Sequence, residues 1–329
     1  PSRGVRQGCP LSPYLFIIVA EIFAISIRKN ENIKGITING ETFKIGQFAD
    51  DTFMTILFEQ ESLTQIINTL DRFQAISGLK VNYNKTELLR IGSMKDSLAQ
   101  LYTQKKLKWT SEPTLLLGIK ITTNIAELCK LNFDGLVDKL ISISKLWNQR
   151  HLTLLGRIII IKSLLVSQLI YKFSVLPTPD TDTLKSVEKV LLDYLWNNKK
   201  HFIDKNIIIG DLCNGGLRMV DILSKEISSK CGWVKRLANP QRDIFSGGGW
   251  IKLVEYFLPE PGRLFWSGNL KYVHALKLLK HSSVFWENVI KSWCIFNYHE
   301  PEEFADILNQ QIWFNSQILV NNIPVFSRP

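Results

Sequence analysis

The chain has 329 residues, 45% of them hydrophobic, with 40 Lys and Arg against 30 Asp and Glu, giving a net charge of +10. That length supports two or three domains with cores of their own, and the basic balance favours a phosphate-bearing partner. Five cysteines (Cys9, Cys129, Cys213, Cys231 and Cys294) lie at scattered spacing, which excludes a legible zinc knuckle or disulfide framework and suits a reducing, intracellular compartment, nuclear or cytoplasmic. No signal peptide is read at the start. The apolar stretches Tyr14–Ile27 and Leu152–Leu176 are interrupted by Glu21 and by Arg157, Lys162 and Lys172, so both read as buried helices and not as membrane spans.

In chain order, Arg3-Gly4-Val5-Arg6-Gln7-Gly8-Cys9-Pro10-Leu11-Ser12-Pro13 reads as a glycine-containing loop running into a helix over Tyr14–Lys29. Ser12 is placed to be its N-cap and Pro13 its first residue. Gly4 and Gly8 let backbone approach a ligand closely, and such a loop before a helix suits phosphate or a base pair. It is equally the form of an ordinary capped helix.

Next come two runs rich in β-branched and aromatic residues, Phe43–Phe48 and Thr52–Phe58, separated by Ala49-Asp50-Asp51. The pattern predicts two strands with adjacent carboxylates at their connection. Mg²⁺ requires oxygen ligands in near-octahedral geometry, and nucleotidyl-transfer chemistry clamps a metal pair between carboxylates. Asp-Asp between strands is also a common solvated turn. Glu61–Ile76 carries Leu63, Ile66, Ile67, Leu70, Phe73 and Ile76 on one face, predicting a core helix that Gly78 ends. Leu79–Leu89 follows, containing Lys85, and Leu115–Thr122 reads as a short strand around Gly118.

From residue 124 the pattern is largely helical, with helices predicted over Phe133–Asn148, Thr153–Phe173 and Thr183–Trp196. His151 and His201 read as structural or surface residues. Residues 201–329 hold Trp233, Trp250, Trp266, Trp286, Trp293 and Trp313, which at this spread read as core more than as base-stacking platforms. Gly247-Gly248-Gly249 marks a loop or hinge. Charge is uneven: residues 95–200 hold sixteen basic against nine acidic side chains, a net +7, while residues 1–94 and 201–329 carry +1 and +2.

The order and wording of these segments resemble the reverse transcriptase of non-long-terminal-repeat (LINE-type) retrotransposons. The resemblance is dense over residues 1–122 and thins to about residue 220, where Arg150–Arg157 and Gly215-Gly216-Leu217 are the last recognisable stretches. It implies an α+β fold: the later part of a polymerase palm, with antiparallel sheet and packed helices, over 1–122. A helical thumb would follow over 123–200, then a mainly helical C-terminal region over 201–329. It implies that Asp50 and Asp51 bind Mg²⁺, with Mn²⁺ as a substitute, and that Lys85 is a general acid toward the leaving pyrophosphate. Arg3, Arg6, Gln7 and Gly8 would contact template and incoming dNTP, and Leu117 and Gly118 would grip the primer end. The implied partners are an RNA template, a DNA primer, dNTP and the upstream part of the same polyprotein, with no membrane.

The same resemblance implies a further palm aspartate, the fingers and an endonuclease upstream of Pro1. The expected function is therefore an RNA-directed DNA polymerase fragment, inactive or nearly so alone. The alternative is a non-catalytic nucleic-acid-binding relic. An intron-encoded maturase shares the catalytic hairpin but is disfavoured by the wording of residues 3–13.

The +7 of residues 95–200 generates the first prediction. Nucleic-acid binding should fall steeply with salt, each neutralised phosphate adding about 0.9 to the logarithmic slope on duplex DNA. Replacing Lys105, Lys106 and Lys108 together should flatten the slope in a salt series of binding isotherms. An isotherm unchanged between low and physiological salt would refute it.

Overall fold

The computed structural model describes residues 8–57, 59–92, 107–110, 113–200, 203–238, 249–259, 275–297, 319–320 and 323–324. It divides into two compact units, 1–123 and 124–329. Among the described residues the fold is α+β, with small sheets in the first unit and helices dominating the second.

In the first unit, helix α1 (Ser12–Lys29) buries Phe23, Ala24 and Ile27. Helix α2 (Gln60–Ser77) buries Ser62, Leu63, Ile66 and Ile67, and ends on Gly78 at φ 76°, whose amide donates to the Gln74 carbonyl. One core joins Phe23, Ile27, Ile33 and Ile66 with Ile45, Met54, Ile56, Leu70 and Phe73. On the other flank of α2, Leu63 and Ile67 meet Leu107, Tyr83, Leu88 and Trp109. The α2 stripe read from the sequence thus serves two small cores.

The strands associate in pairs. β1 (Ile36–Ile38) with β2 (Glu41–Phe43), β3 (Ile45–Phe48) with β4 (Asp51–Met54), and β7 (Thr114–Leu116) with β8 (Ile119–Ile121) are antiparallel. β5 (Glu87–Leu89) with β6 (Lys108–Thr110) is parallel, where the sequence reading expected antiparallel sheet.

Three expectations are corrected here. Leu11, not Ser12, is the N-cap residue of α1, without a side-chain cap bond. The Ser12 amide donates to the Cys9 carbonyl at 3.1 Å, and the Leu11 backbone beside the Cys9 sulfur holds its thiol below the ordinary range. The run Phe43–Phe48 is not one strand, because pairing switches at Lys44 from β1 to β4. The helix expected over Phe133–Asn148 starts only at Leu136, as α4 (Leu136–Asn148), because Gly135 takes φ 71° and separates it from α3 (Ile125–Phe133).

In the second unit, Thr153 caps α5 (Leu154–Ile160), which continues through a π-helical turn (Ile161–Leu165) into α6 (Ser167–Val175). α7 (Thr181–Leu195) starts on Asp180, whose carboxylate accepts the Thr183 amide at 2.6 Å. Short α8 (Lys205–Ile209) precedes a tight crossing where a Cβ on Gly216 would lie 2.1 Å from the Gly210 oxygen, so only glycine fits. α9 (Ile222–Ala238), α10 (Gly249–Phe257) and α11 (Val284–Asn297) share a core of Val234, Val254, Trp286, Val289, Ile290 and Trp293. Trp233 meets Trp250, Phe285 and Trp286 edge-on and donates its indole N–H to the Ser174 carbonyl at 2.7 Å. These four tryptophans are packing residues, while Trp266 and Trp313 lie outside the described residues, as does His201. Among the described residues no single helix is long and apolar enough to cross a membrane. The bent run over α5 and α6 buries Ile158, Ile161, Leu165, Leu169 and Phe173 within the unit.

A buried polar knot fastens α6 to α9 and α11. Lys230 on α9 is fully buried, and its ammonium donates to the Phe173 carbonyl at 2.6 Å and to that of Leu176. Glu226 lies 3.9 Å away and accepts from the Thr178 hydroxyl at 2.7 Å, while the Thr178 amide reaches Asn288 at 2.9 Å. Desolvation pushes the Lys230 ammonium down to about 8, against the attraction of Glu226. Burial pushes the Glu226 carboxyl up.

Removing one partner of a buried charge pair costs about 3–5 kcal/mol, because the other is left uncompensated. Lys230→Met should destabilise the second unit by that amount in chemical denaturation, and adding Glu226→Gln should recover more than half. From pH 8 to the ordinary thiol range near 9, the unfolded lysine still holds the proton that the folded one gives up. Stability should therefore rise over that window in the parent and not in Lys230→Met.

Candidate active site

The β3–β4 hairpin is closed by the pair Phe48↔Asp51, leaving Ala49-Asp50 as a two-residue turn. Two-residue hairpin turns need a left-handed residue to match strand twist. Asn39-Gly40 supplies two, at φ 48° and 81°, and Leu117-Gly118 supplies two, at φ 49° and 79°. At the third turn Ala49 takes φ 52°, a conformation that costs a non-glycine residue about 1–2 kcal/mol. The strain sits next to the two acids.

Residues along a strand alternate faces. Ile45 and Met54 pair and enter the core against α1, which puts Asp51 with Phe48 and Phe53 on the opposite, exposed face. Asp50 sits in the turn itself, and both carboxylates are exposed. Neither makes a side-chain hydrogen bond or ion pair among the described residues, so their oxygens are available to a cation. Opposite Phe53 stands Gly46, where a Cβ would lie 2.2 Å from the ring. The ring therefore lies flat across the hairpin beside Asp51.

What positions the hairpin is Lys44. Its ammonium donates to the Arg28 carbonyl at 3.0 Å and the Asn30 carbonyl at 2.8 Å, at the C-terminus of α1. The next turn is tied in the same way: buried Ser62 on α2 accepts the Lys34 amide at 3.0 Å and donates to the Asn32 carbonyl at 3.2 Å. Thr55 closes the base of the hairpin, its amide to Lys44 and its hydroxyl to the Phe43 carbonyl, both at 3.0 Å.

The other expected site residues lie elsewhere in this unit. Gly8 takes φ 86° just before α1, where any other residue would be strained. Lys85 is exposed, in a turn after α2 where its amide meets the Asn82 carbonyl at 3.0 Å. Leu117 and Gly118 form the tip of the β7–β8 hairpin, with Leu115 strongly exposed beside it. Arg3, Arg6 and Gln7 lie outside the described residues, as do Lys105 and Lys106. No group of three or more His, Cys, Asp or Glu side chains able to hold a metal occurs among the described residues. The acidic hairpin presents two exposed carboxylates, a donor type that suits Mg²⁺, in number below its octahedral complement. Lys44 is the positioning residue that the sequence did not reveal. Its signal, a lone lysine inside a strand-like run, is common to edge strands.

Residues 1–121 match the family of reverse transcriptase (RNA-dependent DNA polymerase). Among curated proteins, the whole chain is similar to the uncharacterized 149 kDa protein of transposon TX1 from Xenopus laevis, 24% identical over 325 residues, which are 95% of this chain and 24% of that protein. A 57-residue stretch is 44% identical to an uncharacterized mitochondrial protein of Arabidopsis thaliana, covering 16% of this chain and 47% of that one. The chain thus spans about a quarter of the length of the first relative and less than half of the second.

The acidic hairpin is tied to the end of α1 through Lys44. A hydrogen bond from a charged group is worth about 1.5–3 kcal/mol, and a cation at a helix C-terminus adds about 0.3–1 kcal/mol. Lys44→Met should lower the stability of the first unit by roughly 2–3 kcal/mol in denaturant melts, and Lys44→Arg by less. Amide exchange at Thr52 and Phe53 should quicken in Lys44→Met. Unchanged exchange there would show that the hairpin is held without it.

Proposed function

We propose that the chain is part of an RNA-directed DNA polymerase of a LINE-type element, transferring a nucleotide from dNTP to a primer 3′-hydroxyl by two-metal catalysis. The observation that carries this reading is the pair of unpartnered carboxylates on a strained turn fixed against α1, within the stretch that matches the reverse transcriptase family. Asp50 is the principal ligand for Mg²⁺ or Mn²⁺ and Asp51 the second. When bound, the metals would bring the attacking and leaving oxygens together and neutralise developing charge. Lys85 donates a proton or charge to the departing pyrophosphate. Gly8, with Arg3, Arg6 and Gln7, contacts template and dNTP, and the Leu117-Gly118 tip holds the primer end. The match of residues 1–121 to the RNA-dependent DNA polymerase family supports an RNA template and a DNA primer as partners, and the similarity to a transposon protein supports a mobile element.

Two features support a requirement for polypeptide beyond these residues. The acids number two where a metal pair needs more ligand charge. On α1, Tyr14, Ile18, Ile22 and Ile25 form an exposed apolar stripe opposite Phe23 and Ile27. A helix apolar all round is one that is buried. We assign both deficits to the upstream part of the same polyprotein, and the chain alone should not extend an RNA-templated primer with either metal.

Supplying the upstream segment should restore extension, and Asp50→Asn in that protein should abolish it, by at least a thousandfold in single-turnover rate. Asp50 is exposed and unpaired among the described residues, so its melting temperature should not move. Lys85→Ala should slow the chemical step by 10²-fold or more, within the usual range for general acids, with primer–template affinity intact. Robust synthesis by the chain as it stands, or by the Asp50→Asn variant, would overturn the reading.

A further inference from the structure

The second unit carries an open cavity of about 410 Å³ between the start of α5 and the end of α7, lined by His151, Thr153, Leu154, Arg157, Trp196 and Lys199 among others, none of them acidic. Its floor is Arg157, only 6% exposed. One guanidinium nitrogen is engaged, donating to Asn148 Oδ1 at 2.5 Å and to the Tyr194 carbonyl at 2.7 Å, and the group lies 5.1 Å over the Tyr194 ring. These partners are neutral. No carboxylate pairs with Arg157 among the described residues, and its remaining N–H donors have no hydrogen-bond partner there.

A buried arginine is ordinarily paired, because desolvating an uncompensated charge is costly. Here the missing counter-charge faces a cavity whose rim carries two more donors, exposed His151 and Lys199. Lys199 is set there by an unusual turn. Asn197 and Asn198 take φ 55° and 57° in succession, stitched to the Tyr194 and Asp193 carbonyls. Non-glycine residues in that region store strain, which concentrates at ligand clamps. A π-helical turn begins four residues after Arg157, a feature common at functional positions.

The chemistry is that of a phosphate with an apolar attachment. An arginine fork fits phosphate oxygens, and Leu154, Leu195 and Trp196 give the walls a surface suited to a sugar and base. The volume lies in the range of small-molecule sites. Within the same unit, residues 124–200 hold eleven Lys and Arg against seven Asp and Glu, a net +4, which favours a strand of nucleic acid over a lone metabolite. We propose that this cavity binds one nucleotide of a nucleic-acid strand, its phosphate on Arg157, His151 and Lys199. The site lies wholly in residues 148–199 and does not depend on the polymerase reading.

The test uses the whole chain and no catalysis. Photolabelling with 8-azidoadenosine monophosphate, followed by peptide mapping, should mark residues 150–157 or 195–199. A short single-stranded oligonucleotide should protect them. His151→Gln with Lys199→Gln alters exposed groups only, and should weaken labelling and oligonucleotide affinity at least tenfold with unchanged melting. Arg157→Lys keeps the charge without the fork, and should also weaken both if it folds to the parent melting temperature. Label elsewhere, or full affinity in the double variant, would overturn the proposal. Protection by inorganic phosphate but not by the oligonucleotide would overturn it too, showing a site for small phosphates. Because extension is not measured, failure here leaves the polymerase reading standing, and the reverse holds.

Discussion

The structure depends on cations placed against the C-terminal carbonyls of helices. Lys44 reaches the end of α1, Lys172 donates to the Asn132 carbonyl near the end of α3, Lys230 reaches the end of α6, and Arg157 reaches the end of α7. The last four carbonyls of a helix lack intrahelical donors and carry the negative end of its dipole. A lysine or arginine arriving from another element satisfies those carbonyls and fixes where that element sits. Each of these contacts joins segments distant in sequence, by 14 residues for Lys44 and Asn30 and by 57 for Lys230 and Phe173.

This changes what the net charge means. Of the basic residues between 95 and 200, Arg157 is buried and Lys172 is half-buried against the Phe133 ring. Lys205, further on, is bound between Glu188 and Asp221. Part of the charge excess therefore serves the interior, and the surface field that would steer a phosphate backbone is smaller than the composition suggests. Arg157 stands between the two roles: one face completes α7 while the other lines a cavity.

Local rules carried well where a single element decides them. The hairpin connection at the acids, the end of α2 at Gly78 and the amphipathic stripe of α2 were legible because turn residues and periodicity act within a few positions, although Asp51, read as part of the connection, is the first rung of β4. They failed where a distant group substituted for a local one. Ser12 has the right chemistry for an N-cap, but the helix starts one residue earlier, on Leu11, and the Ser12 amide is taken by the Cys9 carbonyl. Phe43–Phe48 has strand propensity throughout, yet Lys44 changes partners because its side chain is committed to α1. Gly135 lies inside the expected helix Phe133–Asn148, and its left-handed backbone moves the start of that helix to Leu136. His151 was read as surface, correctly for exposure, but nothing local shows that α7 delivers Lys199 beside it.

For the acids, the decisive constraint is their separation onto different backbone environments. Asp50 belongs to the turn and Asp51 to the first rung of β4, so the two carboxylates leave the chain in different directions despite being adjacent. The rung fixes Asp51 on the face that carries Phe48 and Phe53, and the strained Ala49 fixes the turn that presents Asp50. Relaxing that turn would free Asp50 while leaving Asp51 held by the ladder. The hairpin therefore sets the two carboxylates with unequal tolerance. Asp50 owes its direction to one left-handed alanine and to the Lys44 anchor behind it, so it is the carboxylate that a change in either would move first.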